Sequence, residues 1–482
     1  MAWHVLREVL HSWSGKVAIA LLLIQLALAV YVVVFTDYAK LSRLYLDENA
    51  WIGRYPLHVP PCWAVSKHAQ EVELVLDTSS AEPFNITIKR LKKYTVYNIT
   101  WIGELKYEGD APPSDTLMLL VVNRSGTLRG FKLGLVIERP DGLRIPLLYR
   151  VPVPQESVVV IGVDRETPQL LSTVQPESPL YKVIMDSVAS VFEAGNATRM
   201  KLVEMGLGQI LWIGRDFEPV RGVYKIKLSV FFVAKGEADL QHDMHVYFVL
   251  RTLGNCYGLM GTDSVGRPIE LGILVGLPWS FVISIYVSFL SVMIGGLYGI
   301  AAGLARGWKG ELLMRIVDVV YSIPILPILI VVIMATKSYS IWLIMTVMIA
   351  FLWSMPVVVV RSMTLQIREQ PYIETAKAIG VGTLRIIFRY VLPQVMPYLV
   401  TLMVLGIPDP ILTEAALAFL GLSDPTVPTW GKMLEWAWNE HAVINGWWWS
   451  FIFPGLALTV FCATFLLLGR ALEPIVAPKI RR

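Results

Sequence analysis

The chain has 482 residues, of which 55% are hydrophobic and only 17% charged, and its formal net charge is +4. So apolar a composition excludes a soluble enzyme, and the small positive balance, with neither a long basic run nor a nucleic-acid motif, speaks against a DNA or RNA partner. The charges are concentrated enough to require a large polar part, so the composition defines a membrane protein with one water-soluble domain.

In chain order, residues 17–35 form an apolar run with Gln25 as its strongly polar member, preceded by Arg7 and Lys16. That run is long enough to span a bilayer as a helix. A cleaved signal peptide is the competing reading, because Ala27-Leu28-Ala29 imitates a cleavage site; the apolar run continues through residues 31–35, beyond a signal core, which favours an uncleaved anchor.

Residues 37–270 change to a soluble composition, with 26 Lys+Arg against 27 Asp+Glu and no apolar stretch of spanning length. Segments at 71–76, 85–89, 117–122, 157–162 and 223–233 alternate or are β-branched and read as strands. They are punctuated by Pro112-Pro113, Ser125-Gly126 and Asp141-Gly142. Residues 178–205 have helical spacing. The expectation is a mainly-β domain of sufficient size to bury its own core. Four Asn-x-Ser/Thr sequons, at Asn85, Asn98, Asn123 and Asn196, use half of the eight asparagines and all fall here. They are candidate glycosylation sites and suggest an extracellular domain; coincidence is the alternative. Cys62 and Cys256, near the domain's ends, form a candidate disulfide or two buried thiols, and Cys462 falls in a later span. His242-x-x-His245 is too short a pattern for a metal site, and no metal is expected.

Five further spans are expected near residues 273–304, 316–335, 341–360, 398–419 and 448–468, the first long enough to tilt or extend beyond the bilayer. Basic residues collect in alternate connections: Arg306, Lys309 and Arg315; then Arg361, Arg368, Lys377, Arg385 and Arg389; then Arg470, Lys479, Arg481 and Arg482. By the positive-inside rule these connections and both termini are cytoplasmic, and the β domain is outside. The predicted division is 1–36 (N-terminus and first span), 37–270 (β domain), 271–470 (five-helix core with a cytoplasmic loop at 361–393) and 471–482 (cytoplasmic tail).

Within the core, Gly295, Gly296, Gly299 and Gly303 would let helices approach closely. Asp318 reads as a partner for a neighbouring donor more than as a ligand. Gly406-Ile407-Pro408-Asp409-Pro410 puts a carboxylate between two prolines about halfway across a span, with Glu414 about a turn further out. A charge at that depth faces a polar cavity or a partner, so Asp409 and Glu414 are candidate pathway residues; a paired aspartate stabilising the kink is the alternative. The short polar segment 372–397, with helical spacing and its own basic residues between two apolar stretches, reads as a docking element at a membrane face. Glu374, Ala376, Ala378 and Gly380 make a small-residue surface there.

The same segment carries a resemblance. Glu374-Thr375-Ala376, Gly380 and Leu392-Pro393 resemble the "EAA" loop of ABC importer permeases, with Thr375 in place of the middle alanine and Tyr390 in place of the usual isoleucine. Gly261-Thr-Asp-Ser-Val-Gly-Arg-Pro268 is similar to the "GTDxxGRD" sequence before the second span of dipeptide and oligopeptide permeases, with Pro268 replacing an aspartate. Residues 314–324, 414–422, 428–434 (P-x-WG-x-ML) and 447–455 (WW…PG) continue the match. The chain is thus identified as resembling the second-permease class of the dipeptide/oligopeptide importer family, with a large insertion that the resemblance does not cover.

What the resemblance implies is a polytopic α-helical type I importer fold of about six helices. The coupling helix would comprise Glu374, Thr375, Ala376, Ala378, Gly380, Leu392 and Pro393. The implied partners are a homologous permease (a heterodimer), two ABC ATPase subunits and an extracellular solute-binding protein. No nucleotide loop of the Gly-x4-Gly-Lys-Ser/Thr type occurs, so ATP and Mg2+ would reside in the partner ATPases and this chain would hold no cofactor. Peptides are the expected cargo. Oligosaccharides or metal chelates carried by the same architecture are an alternative, as is an extracellular sensor or enzyme domain borrowing a membrane scaffold.

Overall fold

The computed structural model describes residues 10–51, 54–153, 157–161, 169–170, 178–189, 202–203, 205, 207–214 and 216–476. The chain divides into two compact units, one of residues 48–268 and one of residues 1–47 with 269–482. It begins with α1 (Trp13–Phe35), whose N-cap Ser12 accepts the Gly15 N–H at 3.0 Å, and α2 (Tyr38–Leu46), capped by Asp37.

Both of these helices belong to the unit completed by residues 269–482, and the intervening unit of residues 48–268 is a two-sheet β structure, so the β domain expected at 37–270 begins after α2. Its strands are β1 (Glu73–Asp77), β2 (Asn85–Arg90), β3 (Thr95–Tyr107), β4 (Asp115–Arg124), β5 (Arg129–Glu138), β6 (Arg144–Pro152), β7 (Ser157–Ile161), β8 (Gln169–Leu170), β9 (Gly222–Ala234) and β10 (Met244–Leu253). One sheet runs β1-β10-β4-β7 with β8 also on β4; the other runs β2-β3-β9-β5-β6, and all pairs are antiparallel. Along β3 and β9 burial alternates residue by residue, so Tyr97, Ile99, Trp101, Ile226, Leu228, Val230 and Phe232 point inward. There they share one core with Met118, Leu120, Val122, Val246, Phe248 and Leu250 of the opposite sheet. The mainly-β reading therefore holds. Five strands that the sequence reading does not single out, β3, β5, β6, β8 and β10, complete the two sheets.

β4 is buried along most of its length, and residues 207–212 pack at its start on the core side: Trp212 Nε1 donates to Thr116 Oγ1 at 2.7 Å, and Thr116 Oγ1 donates to the Gly208 carbonyl at 2.8 Å. Of the segment expected to be helical at 178–205, α3 (Pro179–Ala189) is a helix. Asn85, Asn98 and Asn123 are exposed strand residues, the first two on the outer face of the same sheet, where Asn98 pairs in register with Thr87; Asn196 lies outside the described residues. Cys62 and Cys256 are joined in a disulfide.

The other unit is helical: α4 (Ile269–Leu304), α5 (Trp308–Ser322), α6 (Ile325–Thr336), α7 (Ile341–Leu352), α8 (Ser354–Arg368), α9 (Pro371–Ala378), α10 (Leu392–Leu405), α11 (Pro408–Phe419), α12 (Trp430–Asn439) and α13 (Trp449–Val476). Five helical stretches among the described residues are long and apolar enough to cross a membrane, and α5 with α6 makes a sixth if the bent pair is one span. That pair departs from the straight span expected at 316–335: its two arms meet at 76°. Pro324 holds Ile323 in an extended conformation (φ −88°, ψ 120°) and then caps α6, which ends one helix and starts the other.

At 36 residues α4 is roughly 54 Å long, more than a bilayer core requires. Its Gly295, Gly299 and Gly303, spaced four apart, form the seam against α8. A Cβ on Gly295 would lie 2.1 Å from the Trp353 carbonyl oxygen, one on Gly299 2.9 Å from Val360, and one on Gly303 2.6 Å from Thr364. Helix approach this close is possible only without side chains, which explains the small residues. Gln25 of α1 donates to Thr464 of α13 at 3.0 Å, a buried polar tie between the first and last of these helices.

Candidate functional site

The docking segment is built by successive stops and starts. Arg368, at the end of α8, donates from Nη1 to the carbonyls of Gly303 (3.2 Å) and Ala305 (3.4 Å), placing a cation on the C-terminus of α4. Pro371 then opens α9 at a position where its missing N–H leaves nothing unsatisfied. The helix closes on Gly380, whose φ of +81° is left-handed; its N–H donates to the Lys377 carbonyl and the Val381 N–H to the Ala376 carbonyl, both at 3.0 Å. This pair of bonds is a Schellman stop, and glycine is the residue that meets its conformational demand without strain. A π-helical turn at Ile387–Val391 leads into α10 at Leu392-Pro393.

Glu374, Thr375, Ala378 and Gly380 are exposed on this segment. Ala376 is not: the structure turns it inward, correcting the grouping of Ala376 with the outward small residues. Ile373 and Ala376 are one helical step apart on the buried face, and Ile373 packs with Val360, Ile386, Val391, Val395 and Leu399. Leu392 is half-buried and Pro393 exposed at the first turn of α10. Three exposed apolar residues were not picked out by sequence: Ile379 (75% exposed), Leu384 (72%) and Phe388 (56%). Their only signal was an apolar residue in a charged loop. Lys377 is held below the ordinary lysine range by burial, with Arg306 and Arg368 adding repulsion.

The Gly-Thr-Asp sequence forms a closed turn in the β unit. Asp263 Oδ1 accepts the N–H groups of Val265 (3.1 Å) and Arg267 (2.8 Å), while Oδ2 pairs with Arg267 Nε at 2.6 Å. Both side chains are buried; burial pushes the Asp263 carboxyl up, against the pull of Arg267. Thr262 Oγ1 donates to the Pro56 carbonyl at 2.6 Å, so the turn binds the segment entering the unit. His242 and His245 contact different aspartates, Asp239 and Asp77, and do not converge. Cys62, His68 and Cys256 do converge, but the two sulfurs are bonded to each other and offer no thiolate to a metal.

The candidate pathway carboxylates separate. Asp409, in the first turn of α11, faces a cavity of about 220 Å³. Glu414 is 2% exposed and turns toward α12, where Thr429 and Lys432 are its neighbours. The structure therefore does not bring Asp409 and Glu414 together. Gly431 of α12 packs on Ala415, a Cβ there lying 2.6 Å from the Ala415 Cα. Asp318 pairs with Arg315 one turn before it, at 3.5 Å on an exposed face.

A bundle of membrane-length helices broken at prolines, carrying a helix-and-stop element between two of its spans, is the architecture of a multi-pass membrane protein. Residues 295–482 match the family described as binding-protein-dependent transport system inner membrane component. The chain is 34% identical over 227 residues to the glutathione transport system permease protein GsiD of Pectobacterium atrosepticum, covering 46% of this chain and 73% of that one. It is 29% identical to the oligopeptide transport system permease protein OppC of Bacillus subtilis (46% and 72% covered) and 29% identical to the dipeptide transport system permease protein DppC of the same organism (46% and 69%). The chain belongs to this family of ABC permeases of peptide importers.

Proposed function

We propose that this chain is one of two homologous permease subunits of an ATP-driven importer, forming half of a pathway for di- and oligopeptides delivered by an extracellular solute-binding protein. The observation that carries the reading is the α9–Gly380 element: a short helix with an exposed face, stopped by a left-handed glycine and rooted on the end of α4 by Arg368. Exposed Ile379, Leu384 and Phe388 supply apolar surface for a cleft of an ATPase subunit, and Glu374 and Thr375 supply its polar rim. ATP and Mg2+ are then held by two ATPase subunits; this chain transmits their closure mechanically through α9 into α4 and α10. Basic residues around α9 support a cytoplasmic place for this element and both termini and an outside place for the β unit, a reading that the disulfide and the exposed sequon asparagines also favour. Peptide cargo is supported by the kinship with permeases named for glutathione, oligopeptides and dipeptides.

The test is purification of the chain from its native membrane in mild detergent with identification of the attached subunits. A second permease, ATPases and a binding protein are expected with wild type, and the ATPases are expected to be lost in Gly380→Val, which the left-handed backbone at that position resists. Wild type without ATPases in several detergents would remove the importer reading.

A further inference from the structure

Where α4, α7 and α8 meet the break between α10 and α11, the cavity of about 220 Å³ is walled mainly by apolar side chains such as Val292, Leu352, Met355 and Leu402. The stretch containing the break, residues 383–419, is one of those long and apolar enough to cross a membrane. Three polar residues line the cavity: Asp409, which is exposed, with Ser288 and Ser291. Ser288 is committed, donating to the Met403 carbonyl at 2.7 Å. Ser291 is 4% exposed and its buried Oγ has no hydrogen-bond partner among the described residues. No side chain among them pairs with the Asp409 carboxylate, and no Lys, Arg or His lines the cavity. The Gly406 backbone also lines it, and Pro410 has no N–H to offer the Gly406 carbonyl.

A carboxylate at such a place is costly without a counter-charge, and among the described residues the cavity lining supplies none. The groups on offer are a carboxylate, a hydroxyl oxygen and a backbone carbonyl, set among Leu, Val and Met. That is too few oxygens to replace the hydration shell of a metal ion, and the apolar walls suit carbon. A primary ammonium has three N–H donors and no acceptor, so it can satisfy all three groups while its alkyl part lies on the apolar wall. The volume is below that of a site enclosing a whole small molecule, so it takes one residue-sized end of a larger cargo.

We propose that Asp409, Ser291 and the Gly406 carbonyl form an ammonium subsite of the translocation pathway, which takes the free α-amino end of a peptide. This rests on the importer reading above. A lysine side chain offers the same chemistry, and the experiment separates the two sources.

The complex, reconstituted with its partner permease, ATPases and binding protein in proteoliposomes, is assayed for ATP-dependent uptake of Ala-Ala-Ala, N-acetyl-Ala-Ala-Ala and N-acetyl-Ala-Lys-Ala. Affinity of each peptide for the isolated binding protein is measured first, so that all three are compared with that protein saturated. Wild type is expected to prefer Ala-Ala-Ala over its acetylated form. Asp409→Asn is expected to lose about tenfold or more of Ala-Ala-Ala uptake with little change for N-acetyl-Ala-Ala-Ala, and Ser291→Ala to lose about threefold. A parallel loss for N-acetyl-Ala-Lys-Ala extends the subsite to lysine side chains; no loss restricts it to the α-amino end. Equal uptake of free and acetylated peptides by wild type, or unchanged uptake by folded Asp409→Asn, overturns the proposal. So does a folded Asp409→Asn chain that no longer holds the second permease, since Asp409 would then face a subunit. If Asp409→Asn does not fold, the wild-type comparison and Ser291→Ala decide. ATP-dependent uptake of none of the three peptides by wild type removes the peptide reading itself, a result visible without any variant.

Discussion

The Asp424 carboxylate accepts the backbone N–H of Ile341 at 2.8 Å, joining the connection before α12 to the first residue of α7 across 83 positions of sequence. Its other oxygen accepts from Thr426 N (2.8 Å) and Thr426 Oγ1 (2.7 Å), and Lys432 Nζ reaches the Asp424 carbonyl at 3.3 Å. A carboxylate at the start of a helix meets unpaired N–H groups and the positive end of the helix dipole. Asp424→Ala should therefore destabilise the chain by about 1–3 kcal/mol, whereas Asp424→Asn, which keeps an acceptor, should lose less. Thermal unfolding of the detergent-solubilised full chain ranks the two, and equal midpoints for Asp424→Ala and wild type would show that the bond carries no stability.

The glycine seam between α4 and α8 makes a steric prediction. Gly295→Val places carbon where the Trp353 carbonyl oxygen already stands, so the helices must separate, at a cost of about 1–3 kcal/mol or more. Gly455→Ala has open space around its new methyl and should be tolerated. Yield of monodisperse protein and resistance to proteolysis distinguish them; equal behaviour of the two variants would contradict the seam.

Gly380 separates backbone from docking. Beyond its chain neighbours nothing lies within 4 Å of a Cβ built there, so the first carbon of a side chain meets open space and the left-handed backbone is what resists it. Gly380→Val should cost roughly 1–2 kcal/mol in the helix stop, while Gly380→Asn, which tolerates that conformation, should keep α9 formed. Retention of ATPase subunits measured for both variants reads this out: if Asn loses them as fully as Val, the outer surface itself needs a bare glycine.

His58 gives the β unit a pH dependence. Burial pushes its imidazole down to about 4 from an ordinary value of 6.5. Between those values the unfolded chain binds a proton that the folded chain does not, so stability is complete above about 6.5 and falls as pH drops toward 4. The limit is about 1.4 kcal/mol per unit of separation, reduced by the ring's remaining exposure. Hydrogen-exchange protection factors in residues 57–62 of the full chain, corrected for the intrinsic pH dependence of exchange, should fall as pH drops through this window, and His58→Gln should flatten the slope; an unchanged slope would assign it to another group.

Much of the fold was legible because lipid and β sheets impose strong periodicities. Uninterrupted apolar runs marked α1, α4, α7 and α13, and the turn from alternating to continuous hydrophobicity marked where the β unit ends. What hydropathy cannot see is direction. Pro324 was plain in the sequence, but the 76° bend it produces depends on how Ile323 and the next turn are packed. β3 was passed over because its outward positions carry Asn98, Glu104 and Lys106, which dilute the apolar signal of a strand whose inward residues are fully buried. In the docking segment, the helix and its glycine stop could be read from residue type, but the inward turn of Ala376 follows from the partner face of Ile373. The separation of Asp409 from Glu414 likewise needed coordinates: five residues along a helix is more than one turn, and α12 draws the second carboxylate away.

The two ends of the β unit lie side by side. His58 N bonds the Asp263 carbonyl at 2.9 Å, Cys62 N bonds the Gly258 carbonyl at 3.2 Å, and the disulfide stands beside them. A chain that leaves and returns at one point demands nothing of the length or spacing of what it leaves behind, so some 200 residues can be carried as a single detachable loop. The permease scaffold could gain, lose or exchange such a cargo in one insertion without re-registering any helix, and a short linker from residue 56 to residue 263 is all the geometry asks in its place.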